Sequence, residues 1–152
     1  MLTEDGKHLY VSYDEYHNLI ERLAVKIHES GWEFDNILCL ARGGMRPGDL
    51  LSRIFDKPLA IMSTSSYRAG AGTVQGRLDV ARYITTPKGE IAGRVLLVDD
   101  LLATGGTMAA AEALLAQAQV IVVANAVLIE LEGLSGRDKL IAPFEALLEM
   151  PA

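Results

Sequence analysis

The stretch Val95-Leu96-Leu97-Val98-Asp99-Asp100-Leu101-Leu102-Ala103-Thr104-Gly105-Gly106-Thr107 constrains the fold of this chain more than any other. Four apolar residues suit a central parallel strand buried on both faces. Two acids and a glycine-rich bend follow, and Met108 then opens an Ala- and Leu-rich run of strong helix formers. Strand, loop and helix in that order build a parallel α/β sheet, and such sheets bind ligands beyond the carboxyl ends of their strands. Gly105 and Gly106 let the backbone approach a ligand closely, and unpaired N–H groups at a helix start attract phosphate. The acids and the anion-seeking amides prefer opposite partners, and a sugar phosphate satisfies both. Its hydroxyls can donate to Asp99 and Asp100, while its phosphate accepts from the amides of Ala103 to Thr107 and from the hydroxyls of Thr104 and Thr107. The loop holds no lysine, which separates it from a P-loop.

A second junction of the same kind lies upstream. Asn36 to Ala41 is a short apolar run that reads as the first strand of the parallel sheet. It ends at Arg42-Gly43-Gly44-Met45-Arg46-Pro47, where Pro47 suits the first turn of a helix whose apolar face is Leu50, Leu51, Ile54 and Phe55. Two arginines beside two glycines suit a pyrophosphate, since guanidinium forks pair with its oxygens while glycines let amides come close. Around these junctions, Ser12 and Glu15 form a capping box for a helix with Tyr16, Leu19, Ile20, Leu23, Ala24 and Ile27 on one face and a stop at Gly31. Leu9-Tyr10-Val11 reads as a short edge strand, Pro58 to Met62 as a second strand, and Leu78 to Ile84 as a strand returning along the sheet edge. Met108 to Gln119 reads as a helix and Val120 to Leu131 as the final strand. Ser65 to Gly76, with three glycines and small polar residues, reads as a mobile loop suited to a lid.

Composition narrows the function. At 152 residues, half of them hydrophobic, the chain reads as one domain over 1–152 rather than a disordered segment. A formal charge of -6 argues against a duplex nucleic-acid binder. Cys39, the one cysteine, lies in an apolar run and reads as a small buried hydrophobe. His17 and His28 have no companions at metal-ligand spacing. The polar start lacks a signal-peptide core and no apolar run reaches a membrane span, so a cytoplasmic setting without a membrane partner is expected.

The apolar strand, two acids and loop ending Thr-Gly-Gly-Thr resemble the phosphoribosyl-pyrophosphate (PRPP) signature of type I phosphoribosyltransferases. The resemblance implies a three-layer α/β fold with a central, mainly parallel sheet and a short hood. It also implies a Mg²⁺-dependent purine phosphoribosyltransferase of purine salvage, joining a purine base to PRPP to give a nucleoside monophosphate and pyrophosphate, and working as a homo-oligomer. Asp99 and Asp100 would then act in catalysis and at the metal. Arg42, Gly43 and Gly44 would bind the pyrophosphate, and Ala103, Thr104, Gly105, Gly106 and Thr107 the 5′-phosphate. Ser66-Tyr67 matches the Ser-Tyr pair of the flexible loop in 6-oxopurine enzymes, which puts Tyr67 among the catalytic residues and Ser66 and Arg68 among those binding substrate.

Two sets of relatives are implied by the two halves. Tyr10 to Arg68 resembles bacterial xanthine-guanine or hypoxanthine phosphoribosyltransferases. From Val95 onward the chain resembles adenine phosphoribosyltransferase, including a Glu-Leu-x-x-Leu-x-Gly-Arg run at Glu130 to Arg137. Neither relative's base-handling acid is visible: the 6-oxopurine acid position is Ala103, and the loop from Ser65 to Gly76 has no glutamate. The purine is therefore left open between 6-oxopurine and adenine. A PRPP-binding regulator without turnover, or an inactive engineered or recombined scaffold, is the alternative.

Overall fold

The computed structural model describes residues 4–6, 8–63, 83–87 and 89–152. Helix α1 spans Tyr13–Ser30 and starts as its sequence dictates. The Ser12 hydroxyl accepts the Glu15 N–H at 3.2 Å, and the Glu15 carboxylate accepts the Ser12 N–H at 3.2 Å. Such a cap typically contributes about 0.5–2 kcal/mol. Gly31 ends the helix at φ 76°, a left-handed conformation that glycine adopts without the Cβ penalty.

Six strands follow in chain order: β1 (Asn36–Ala41), β2 (Leu59–Ser63), β3 (Ile84–Thr85), β4 (Arg94–Leu102), β5 (Ile121–Glu132) and β6 (Phe144–Pro151). Helix α2 (Met45–Phe55) links β1 to β2, and helix α3 (Gly106–Gln117) links β4 to β5. A short 3-10 turn, Gly136–Lys139, lies between β5 and β6. The strands form one sheet in the order β3-β2-β1-β4-β5-β6, parallel throughout except for antiparallel β3.

Alternation along the central strands sorts the core into two layers. Leu38, Leu40, Val95 and Leu97 pack with Met108, Ala111, Leu114 and Leu115 of α3. Ile37, Leu96 and Val98 pack on the opposite face with Ile20, Leu23 and Ile27 of α1 and Leu51 of α2. The result is helix, sheet, helix, the three-layer architecture expected, with each fully buried Leu or Ile contributing about 1.5–3 kcal/mol. Cys39 is buried within β1, and that burial pushes its thiol up to about 11.

Two expectations change. β5 is not the final strand, because β6 adds a parallel strand outside it, from Asn125↔Phe144 to Glu132↔Pro151. Only Ala146 of β6 is buried, and this edge strand sets Glu145 and Glu149 on either side of a short apolar stretch, Ala146 to Leu148. Leu9 makes a single bridge pairing and no strand forms there. Of the expected Leu78–Ile84 strand, residues 78–82 fall outside the described residues, and β3 begins at Ile84.

The connections set the location of a site. β1 leads through α2 to β2 on one side, while β4 leads through α3 to β5 on the other. The order in which strands are added therefore reverses between the adjacent parallel strands β1 and β4, and a crevice opens beyond their carboxyl ends. No described helix is long and apolar enough to cross a membrane.

Candidate active site

The loops that leave β1 and β4 carry the two chemical motifs, and parallel pairing from Asn36↔Val95 to Cys39↔Val98 puts their ends side by side. Asp100 continues the parity of Leu96 and Val98 and so points to the α1 and α2 side of the sheet. There its carboxylate lies against Gly43. A Cβ added at Gly43 would sit 2.5 Å from Cγ and from both carboxylate oxygens of Asp100. At Gly44 a Cβ would meet the carbonyl oxygens of Leu40 and Val98, each at 2.7 Å. The two glycines thus let the β1 loop fold down onto the end of β4. Arg42 is exposed at the start of this loop, and the Ala41–Arg42 peptide is cis.

Asp99 faces the other way and is more enclosed. Its carboxyl is pushed up to about 7, chiefly by burial and further by the hydrogen-bonding and negative charge of Asp100. The Asp100 N–H, donating to Asp99 Oδ1 at 2.8 Å, opposes that rise. A pair of this kind is poised to accept hydroxyl donors or a cation, either of which offsets the crowded negative charge. Among the described residues no group of three or more His, Cys, Asp and Glu side chains could hold a metal ion. A divalent cation at Asp99 and Asp100 would thus take its remaining ligands from substrate oxygens and water, which fits the coordination habit of Mg²⁺.

Beneath the acids, Asp99 to Gly105 with Thr107 and Met108 lines a cleft of about 200 Å³. Gly105 takes φ 81° as the N-cap of α3, and the first α3 hydrogen bond runs from the Ala109 N–H to the Gly105 carbonyl. The opening turn of α3 therefore presents its positive end to the cleft. A larger hollow of about 520 Å³ lies on the outer face of α1 and α2 against Val25, Ile54 and Phe55, and has neither the paired carboxylates nor the helix start.

The structure brings together Arg42, Gly43, Gly44, Asp99, Asp100 and Ala103 to Thr107. Ser66, Tyr67 and Arg68 lie outside the described residues. Arg46, grouped with Arg42 from sequence, instead turns toward α1, its guanidinium 4.8 Å from the ring centroid of Tyr13 and 5.5 Å from that of Tyr16. Tyr16 was legible only as one more residue on the packed face of α1. Its hydroxyl is held above the usual tyrosine range by burial, then by the charge of Asp100, with Arg46 opposing and Asp99 adding.

Comparison with known proteins agrees with this geometry. The family model "Phosphoribosyl transferase domain" matches residues 12–147. The chain is 62% identical over 55 residues to the adenine phosphoribosyltransferase of Acidiphilium cryptum, covering 36% of this chain and 32% of that one. It is 36% identical over 112 residues to the enzyme of the same name from Gluconacetobacter diazotrophicus, covering 74% of this chain and 53% of that one. That match is longer than the stretch from Val95 to Ala152, so the adenine-type likeness extends beyond the second half. The chain spans about half or less of the length of these curated relatives. Among solved structures, adenine phosphoribosyltransferase from Saccharomyces cerevisiae, complexed with an imino-altritol bisphosphate and adenine, superposes with a TM-score of 0.66. The two are 26% identical, over 90% of this chain and 80% of that one. The switch-point acids, the two glycine loops and the match over residues 12–147 together assign this chain to the phosphoribosyl transferase domain family.

Proposed function

We propose that this chain is a Mg²⁺-dependent purine phosphoribosyltransferase, transferring the 5-phosphoribosyl group of PRPP to a ring nitrogen of a purine. The observation that supports it most is the seating of the Asp100 carboxylate against Gly43, which joins a pyrophosphate-type loop, an acid pair and a helix start in one crevice. In the reaction the bond from ribose C1′ to the pyrophosphate oxygen breaks, a C1′–N bond forms, and the purine gives up a proton. The transition state is oxocarbenium-like, so catalysis comes from positioning and from stabilising the leaving group.

The chain's own residues divide that work. The amides of 103–107, with Thr104 and Thr107, hold the 5′-phosphate. Asp99 and Asp100 accept hydrogen bonds from the ribose 2′ and 3′ hydroxyls, which fixes the ring. Arg42 and the amides of Gly43 and Gly44 take the pyrophosphate, and the family resemblance alone assigns Ser66, Tyr67 and Arg68 to the substrate. Mg²⁺, when bound at Asp99 and Asp100, supplies charge neutralisation to the pyrophosphate.

The adenine-type relatives favour adenine as the base, while Ser66-Tyr67 favours a 6-oxopurine. A second reading, a PRPP-binding regulator without turnover, is favoured by Ala103, which cannot exchange a proton where 6-oxopurine enzymes place an acid. Isotopically labelled PRPP offered with adenine, hypoxanthine, guanine and xanthine separates these readings. Pyrophosphate release that depends on one purine is the expected result. PRPP binding with no release for any purine would establish the regulator instead, and no binding at all would leave an inactive scaffold.

A further inference from the structure

Behind the phosphate loop, the backbone of one more segment fits so closely that neither side tolerates a side chain. A Cβ added at Gly105 would lie 2.2 Å from the Gly136 carbonyl oxygen, and a Cβ added at Gly136 would lie 2.3 Å from the Ala103 carbonyl oxygen and 3.1 Å from the Gly105 nitrogen. Gly136 is buried and opens the 3-10 turn. The next residue, Arg137, reaches back to β5, where its Nε donates to Glu130 Oε1 at 2.8 Å and its Nη2 to Glu130 Oε2. The same guanidinium lies 5.1 Å from the centroid of the Phe144 ring and 3.5 Å from Glu149 Oε1, so β6 also holds it. Glu130 is nearly buried, and a two-pronged arginine contact of this kind fixes orientation as well as distance.

We propose that Glu130, Arg137 and Gly136 are positioning residues: the Glu130–Arg137 fork fixes the turn so that the Gly136 backbone braces Ala103 to Gly105 in their phosphate-binding shape. The proposal rests on the reading of residues 103–107 as the phosphate loop. Among the described residues the side chain of Arg137 meets Glu130, Glu149 and Phe144 rather than the crevice, and it acts through Gly136. A brace of this kind matters because a displacement of about 1 Å at a binding group is enough to lose much of its effect.

Calorimetry with two probes tests the brace apart from the site. Ribose 5-phosphate reports on residues 103–107, and pyrophosphate with Mg²⁺ reports on the Arg42 loop. In Arg137→Lys, which keeps the charge and loses the fork, ribose 5-phosphate should bind about tenfold more weakly, the scale of one charge-assisted hydrogen bond. Pyrophosphate affinity should stay as in the parent protein. Gly136→Ala should show the same split more strongly. Should Gly136→Ala fail to fold, Arg137→Lys decides alone, with thermal melting confirming that it is folded. Equal affinity of parent and Arg137→Lys for ribose 5-phosphate overturns the brace and leaves the phosphate loop standing. Parallel loss of both ligands overturns it as well, since that marks general destabilisation. A parent protein that binds pyrophosphate but not ribose 5-phosphate overturns the phosphate-loop reading and the brace with it.

Discussion

At the scale of single residues, the candidate site depends on what is absent as much as on what is present. Gly43 carries no side chain where the Asp100 carboxylate lies, so Gly43→Ala forces either the loop or the acid to move. PRPP affinity should fall in that variant, and in Asp100→Ala it should fall by about 1.5–3 kcal/mol, the usual contribution of hydrogen bonds to a charged group. Unchanged PRPP affinity by titration calorimetry in Asp100→Ala would remove the acid from the ribose. Ala103 carries the sharpest question about the base. If the pocket suits a 6-oxopurine and lacks only its acid, Ala103→Asp should raise turnover of hypoxanthine, guanine or xanthine, because positioned acid-base groups contribute on the order of 10²–10⁴-fold. Equal or lower turnover in a variant that still folds and binds PRPP would exclude the 6-oxopurine pocket.

Elements were legible in the sequence to the extent that local chemistry sets them. The capping box of Ser12 and Glu15 and the left-handed Gly31 delimit α1, and the unbroken apolar run from Ile37 to Leu40 marks β1, because both signals are local. β6 was hidden because an edge strand needs little apolar surface: Phe144 to Pro151 is mostly half-buried. The contact of Gly136 with Gly105 was hidden for another reason, since two backbones about thirty residues apart leave no periodic pattern. The Glu130–Arg137 fork that joins β5 to the 3-10 turn makes an element-scale prediction about pH. The hydrogen bond from Arg137, aided by its charge and opposed by burial, holds the Glu130 carboxyl below the usual glutamate range. Its contribution is therefore present above the unfolded value of about 4.3 and is lost as pH falls through the lower folded value. Glu130→Gln should lower stability by about 1 kcal/mol at pH 7, with Arg137 half in solvent, and the gap should close toward pH 3. Urea unfolding of both proteins across that range checks it, and a gap that widens on acidification would contradict the assignment.

The whole molecule places its chemistry at the reversal of strand order, so that β1 and β4, two neighbours in the centre of the sheet, deliver two loops to one crevice. The strand-loop-helix grammar around Asp99 and Asp100 made that arrangement legible from sequence, whereas the direction of Arg46 toward Tyr13 and Tyr16 required the packing of α1 beside the crevice. Glu112 shows how the rest of the fold holds α3 still. Its buried carboxylate accepts N–H bonds from Ile141 at 3.1 Å and Ala142 at 2.8 Å and the Asn125 side-chain amide at 3.2 Å, tying α3 to the start of β6. On the proposed function this framework aims the 103–107 loop, the Asp99–Asp100 pair and the Arg42 loop at one phosphoribosyl unit. A crystal structure of the protein soaked with a purine nucleoside monophosphate measures it directly. The 5′-phosphate should sit within hydrogen-bonding distance of the amides of residues 103–107, with the ribose 2′ and 3′ hydroxyls on Asp99 and Asp100. A nucleotide bound in another hollow, or bound in this crevice with its base on the 103–107 loop and its phosphate elsewhere, would contradict the account.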